Sequence, residues 1–341
     1  MALDHAILTA RDRDECPDTL RFMFFEADTV LVGFHQCVEL EVDIDYCRQH
    51  RIEIGRRLTG GGAILMQPSH IGFEIVCDAG WFDTGLNRKN RYRLISDPIV
   101  NALRHVGFNA AYRPLNDIEI NGKKVSGTGG VDGKRSLLFH GSILVDMDIE
   151  TMLGCLKIPI QKISDKALAS IMDRITTLRR ERQGAVDTEL LIERIIREFE
   201  CRLGVEIREN ALTEWEYQLF SQRRAYYASS EWIDTVQMPP GTRPVLHGIH
   251  KAPGGMVRSV LVVDQRSRHI QSALITGDFF AADPRVLLDM EARLKGVSID
   301  PGKIRWLIHQ AFTGYEQTIP EVTADDFVQS VLNALQDQGT G

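Results

Sequence analysis

The chain has 341 residues, 43% hydrophobic and 26% charged, enough for two domains at roughly 100–200 residues each. A formal charge of −7 excludes a generally basic, nucleic-acid-coating surface and leaves room for a local basic site. No apolar run reaches the roughly 18 residues of a membrane span, "MALDHAILTARDRDEC" lacks the pattern of a secretory leader, and six cysteines show no CxxC spacing. The expectation is a cytoplasmic protein with reduced thiols and no membrane or nucleic-acid partner.

"LDHAIL" opens as a short amphipathic helix, and "LRFMFFEADTVLVGF" carries two strand-type runs around an acidic break. "IEIGRRLTGGGAILM" reads as strand, glycine turn and new apolar segment, and "IGFEIVCDA" as a strand buried on both faces. Residues 88–106 repeat apolar side chains at helical spacing. "ING" predicts a hairpin turn between "DIEI" and "KKVSG", and "SLLFHGSILVDMD" is another strand. From about 150 to 205 the pattern is helical. "MPPGTRP" at 238–244 marks a linker. Beyond it come a strand pair and helices at 284–295 and 324–337, a small α+β unit.

Two clusters carry the chemistry. Three adjacent glycines cost backbone entropy, so the chain either turns sharply there or something approaches closely. Their N–H groups could form an anion-binding nest, to which Arg56 or Arg57 adds a fixed charge; the plain alternative is a tight turn with solvated arginines. Neither a Walker loop nor GxGxxG is present. The second cluster, "NDIEINGKKVSGTGG", sets Asn116 and Asp117 one strand before Lys123 and Lys124. Strand alternation turns only one of the lysines toward a cleft, where an ammonium can neutralise phosphoryl-transfer charge. The alternative is an exposed hairpin.

Together these segments resemble the lipoate–protein ligase family of the biotin/lipoate ligase superfamily. "RRLTGGGAI" resembles RRxTGGGAV, "NDIEINGKKVSG" resembles NDI…GKKISG, "LFHGSILVDMD" resembles HHGTLL…D, and "KALASIMDRITTL" resembles KgxxSvxxRVxNL. "KAPGGMVRSVLVV…IQSALITGDFF" and "MEARLKG" resemble the accessory domain of bidomain ligases. The resemblance implies an α/β (α+β) fold: a mixed-sheet catalytic domain at 1–237, a linker at 238–244 and an α+β accessory domain at 245–341. It implies a monomer that activates lipoate with ATP and Mg²⁺ to lipoyl-AMP. The lipoyl group then passes to a lysine of a lipoyl domain or a glycine-cleavage H-like carrier protein.

By the same resemblance Lys124 is the catalytic contact to carbonyl and phosphate. Arg57, Gly62, Ala63, Ile64, Leu65, Asn116, Asp117 and Ser142 would hold ATP and the adenylate, with Asp117 beside the metal. Thr59, Gly60, Gly61, His70 and His140 would meet lipoate. The chain departs from the family where Met66 and Gln67 replace His-Asp, His70 stands for Asn and Phe139 replaces the first histidine of HHG. Two rivals are an ATP-independent octanoyl or lipoyl transferase and a non-catalytic carrier-binding relative. The transferases resemble this chain but use a cysteine shortly before the GKK turn, and residues 108–123 contain none. The accessory domain is expected to take different positions in adenylation and transfer.

Overall fold

The computed structural model describes residues 1–82, 88–114, 116–157, 172–240 and 245–336. Residues 166–171 of the "KALASIMDRITTL" segment and residues 241–244 of the predicted linker lie outside the described residues. The strands among the described residues are β1 (Thr19–Met23), β2 (Thr29–Val32), β3 (Glu53–Arg56), β4 (Ile64–Met66), β5 (Ile71–Asp78), β6 (Ala110–Arg113), β7 (Asp117–Ile120), β8 (Lys123–Asp132), β9 (Ser136–Ile143), β10 (Val245–Ala252), β11 (Gly255–Asp264) and β12 (His269–Gly277). No helix among the described residues is long and apolar enough to cross a membrane.

The chain divides into two compact units, each discontinuous in sequence. The first comprises residues 1–29, 48–53 and 65–227. Its sheet runs β1-β5-β9-β8-β7-β6, with antiparallel neighbours throughout. Parallel pairing enters through one bridge between Lys124 and Ile175. One face packs Phe73, Phe139, Ile118 and Val125 against Ile95, Ile99 and Leu103 of the helix Arg88–His105 and Leu191, Ile195 and Phe199 of the helix Thr188–Leu203. Burying each such side chain contributes about 1.5–3 kcal/mol. Phe139 is fully buried, edge-on to Tyr92 at 5.1 Å between centroids, so the histidine it replaces is exchanged here for core.

The Asn121–Gly122 turn joins β7 to β8 with φ of 52° and 79°. Two positive φ values match the right-handed twist of the flanking strands, which is why "NG" reads as a hairpin. The helical expectation fails over 173–177. There Ile175 bridges Lys124, whose N–H donates to Arg174 O and whose carbonyl accepts from Thr176, both at 2.8 Å. Extended backbone satisfies these groups where a helix would have turned them inward on itself.

The second unit comprises residues 30–47, 54–64 and 228–341. Its tail holds three strands rather than a pair, ordered β10-β11-β12. The helices Arg285–Leu294, Pro301–Phe312 and Ala324–Gln336 bury Met290, Ile304, Phe327 and Val331 against them. The helix Pro301–Phe312 opens with Asp300 as N-cap, its carboxylate accepting from Lys303 N–H at 2.7 Å, and with proline at a position whose N–H has no intrahelical partner.

Candidate active site

Lys124 owes its direction to a bulge. Between β7 and β8 the register runs Asp117 with Gly127 and Ile118 with Ser126, then shifts to Glu119 with Lys124. Val125 is the additional residue, and it and Ser126 are both fully buried. In an unbroken ladder Lys124 would pair with Ile120 on the core face. The bulge turns it to the opposite face, a common use of bulges beside active sites.

On that face, cross-strand partners form a row from Asp117 through Gly127, Ser142 and Gly72 to Met23. The Lys124 ammonium lies 2.7 Å from Asp117 Oδ1, while Arg113 binds Oδ2 at 2.7 Å. Oδ1 has no aligned hydrogen-bond donor among the described residues, so Lys124 holds it by charge alone. A Cβ on Gly127 would lie 3.0 Å from Lys124 Nζ; glycine lets the ammonium rest across the strand. Ser142 stands in the same row. Asn116 ties β7 to β8 instead: its amide donates to Thr128 O at 2.7 Å and its carbonyl accepts from the Thr128 hydroxyl at 2.9 Å.

Both oxygens of Asp117 therefore face cations, and the potential metal-ligand cluster among the described residues is elsewhere, at Asp4, Glu74 and His140. The donor set around Asp117 does not fit magnesium as it stands: the ion would have to displace Lys124 or Arg113. It fits an anion that draws Lys124 away.

His140 sits on the neighbouring row of the same sheet face, cross-strand from Glu74, which pairs with Arg21. Arg21 donates to Asp4 at 2.6 Å and to Glu74 at 2.8 Å. Burial and the adjacent Asp4 charge push the Glu74 carboxyl up to about 8. His140 thus belongs to a charge cluster whose Asp4, on the helix Ala2–Asp12, and Glu74 are buried. His70 is fully buried, and burial pushes it down to about 4. Its Nδ1 accepts from Gln67 N–H at 3.3 Å, so the ring is a neutral part of the 67–70 turn. Gln67 bonds Asp28 Oδ2 at 3.2 Å and accepts from Asp148 N–H at 2.8 Å. The departure from His-Asp is a structural tie there, and Met66 is buried apolar lining.

The glycine loop belongs to the second unit, apart from Leu65, which is buried in the first. Gly61 has φ of 98°, so the chain does turn sharply. The close approach is real too, but protein makes it: a Cβ on Gly60 would lie 2.6 Å from the Phe279 carbonyl oxygen. Arg57 is only 6% exposed, with Nη1 donating to Leu31 O at 2.6 Å and Nη2 to Gly60 O and Gly62 O at 3.3 and 2.8 Å. Burial, with Arg56 adjacent, pushes its pKa down to about 10, and it remains a cation at neutral pH. Its guanidinium organises the loop from within. Arg56 is likewise buried, donating to Gly33, Phe34, Gln36 and Ile233 carbonyls at 2.7–2.9 Å. With the carbonyls of Gly60 and Gly62 turned toward Arg57, the N–H groups of Gly60, Gly61 and Gly62 make no hydrogen bond among the described residues. Such a run is suited to an anion. Ala63 and Ile64 follow, half-buried, and Thr59 is buried with its carbonyl accepting from Phe34 N–H at 2.9 Å.

Residues 1–200 match the family model of the lipoyl protein ligase A/B catalytic domain. Lipoate-protein ligase A subunit 1 of Thermoplasma acidophilum is 29% identical over 246 residues, 68% of this chain and 90% of that protein. Octanoyltransferase LipM of Clostridioides difficile is 29% identical over 255 residues, covering 68% and 92%. Among solved structures, a lipoate-protein ligase A bound with ATP matches with TM-score 0.58 and 28% identity over 68% of this chain and 91% of its own. LipL1 of P. falciparum in complex with lipoate shares the fold across 99% of this chain and 95% of its own, with TM-score 0.67 and 15% identity. An ammonium re-aimed across a glycine-lined strand and a glycine loop with uncommitted N–H groups accompany this match, and the chain belongs to the lipoyl protein ligase A/B catalytic-domain family.

Proposed function

We propose that this protein is an ATP-dependent lipoate–protein ligase. The observation that carries the reading is the bulge at Val125, which brings an ammonium out of the core face and over Gly127, next to Asp117. A strand that pays for a broken ladder to present one cation has a use for that cation.

In this reading the lipoate carboxylate attacks the α-phosphorus of ATP, the P–O bond to pyrophosphate breaks, and lipoyl-AMP forms. Two anions meet, so the site must supply positive field first. Lys124 leaves Asp117 for the phosphate and carbonyl oxygens, while Arg113 keeps Asp117 in place. By the family resemblance, the backbone of Gly62 to Leu65 and Ser142 would hold the nucleotide, and Thr59 to Gly61, His70 and His140 would meet lipoate. The acceptor lysine amine, on a lipoyl domain or H-like carrier protein, then attacks the lipoyl carbonyl. AMP leaves with the bonding pair, and the amine proton passes to solvent. No protein nucleophile is needed, and positioning supplies much of the acceleration.

Similarity to octanoyltransferases raises the thiol-based alternative. The stretch before the Lys123–Lys124 turn has no cysteine. Cys16, Cys37, Cys47, Cys77 and Cys155 are buried, and burial raises the thiol pKa of the first four. Buried, protonated thiols are inert. Cys201, the exposed one, lies on the helix Thr188–Leu203.

The test is incubation with apo-carrier and lipoate, with and without ATP, and with octanoyl-carrier as the alternative donor, read by intact mass. Modification only with ATP and free lipoate, with matching pyrophosphate release, is expected. Transfer from octanoyl-carrier without ATP would overturn the ligase reading, and binding of carrier without modification would favour a non-catalytic role.

A further inference from the structure

Three glycines in succession offer no side chains to pack, so the order of the 59–62 loop must come from its surroundings. Arg57 supplies it from inside. The outer side is covered by the turn Asp278–Phe280, at the end of β12 and within the same unit. At Gly60 the contact is backbone to backbone: a Cβ there would also lie 3.1 Å from Phe280 Cα. At Gly61 the neighbours are Arg57 Nη2, 3.4 Å from a Cβ position, and the Phe280 ring at 3.5 Å, and at Gly62 it is Asp278, 3.7 Å away. Each glycine of the triplet thus faces one or two residues of a single turn.

That turn is itself firmly held. Thr276 Oγ1 donates to His35 O at 2.6 Å and accepts from Cys37 N–H at 3.1 Å. The His35 ring stacks on Phe279, 5.6 Å between centroids and 17° between planes. Met256 N–H donates to Asp278 Oδ1. An ordered turn pressed on an intrinsically loose loop transmits its order to the loop.

We propose that Phe280 is a positioning residue of the ligand site: its ring and backbone hold Gly60–Gly62 in the conformation that leaves their N–H groups uncommitted to protein and available to the anionic substrate. The proposal rests on the ligase reading for its substrate, but not for its mechanical part. Binding then benefits from a preorganised loop, so loosening the brace weakens ground-state affinity while the chemistry at Lys124 is retained.

The experiment uses the full chain with Phe280→Ala, Phe280→Leu and Gly60→Ala. Amide exchange is followed at Phe34 and Arg57, whose N–H groups bond Thr59 O and Val32 O and so report how well the loop is anchored. Steady-state kinetics with ATP and lipoate run alongside. Phe280→Ala is expected to speed exchange at both amides at least tenfold and leave strands β7 and β8 unchanged. It should raise KM for ATP and lipoate about tenfold, with kcat within threefold. Phe280→Leu, which keeps apolar contact, should recover most of both effects. Gly60→Ala pushes the same contact apart from the other side, should give the same exchange signature, and serves if Phe280→Ala does not fold. Unchanged exchange in Phe280→Ala and Gly60→Ala, or no recovery in Phe280→Leu, overturns the brace. If the wild type turns over no ATP, the ligase reading falls and the exchange results still decide the mechanical claim.

Discussion

Replacing Gly127 with valine challenges the role assigned to Lys124 without altering the lysine. A Cβ at residue 127 would lie 3.0 Å from Nζ and 3.1 Å from Cε of Lys124, with no other atom within 4 Å. The two further carbons of valine occupy the ammonium's place, and the lysine swings away by about 3 Å. At an effective dielectric of about 20, an ammonium ~3 Å from a phosphate oxygen gains ~5.5 kcal/mol, and one ~6 Å away gains ~2.8 kcal/mol. The difference of ~3 kcal/mol corresponds to about two decades in rate. The Lys124 side chain is 36% exposed, and screening by water reduces the expected loss to between about 10- and 100-fold. The strand should tolerate the change, since valine suits a strand interior better than glycine. Pyrophosphate release with ATP and lipoate is the assay, a thermal melt runs beside it, and Lys124→Ala sets the floor. A Gly127→Val protein with unchanged melting and wild-type rate refutes the assignment.

Other consequences follow from buried groups. Arg57→Lys keeps the charge but loses the planar fork that serves three carbonyls, and should lower stability by about 2–4 kcal/mol in a melt; an unshifted melt would show that the loop does not need those bonds. Gln67→Ala removes both ties of the 67–70 turn, to Asp28 and to Asp148. It should cost about 1–3 kcal/mol, with the KM for lipoate unchanged; a KM shift would make Gln67 part of the acyl path. Glu291 is half-buried and accepts from Ile275 N–H at 2.7 Å, and desolvation raises its pKa to about 7. The folded chain therefore holds more protons than the unfolded one between the ordinary glutamate range and about 7. Stability is full below that window and falls as pH rises through it, by up to ~3 kcal/mol. Glu291→Gln should flatten the decline in melting temperature between pH 5 and 8, and an unchanged slope would count against it.

Several elements around the candidate site were legible because their signals are local. The "NG" hairpin, the β5 run buried on both faces and the lysine pair each depend on a few neighbouring residues. The strand β10 escaped notice because "VLHGIHKA" mixes glycine and charge into its alternation. The helix Pro301–Phe312 escaped because Pro-Gly at its start reads as a turn until Asp300 is seen to cap it. Residue type offered a fixed charge at Arg56 or Arg57 beside the loop, but not the partners of either. Their carbonyl partners at Leu31, Gly33 and Ile233 come from distant segments and leave no trace in the local pattern.

Residue order by itself determined strands such as β5 and β9, the hairpin and the family, since backbone preference and alternation act over a few positions. Which face Lys124 takes was decided by a ladder shift against β7, because side-chain direction in a strand reverses with every residue gained or lost. What fills the space around the glycine triplet was decided by a turn more than 200 residues away, because close packing joins surfaces irrespective of their distance along the chain.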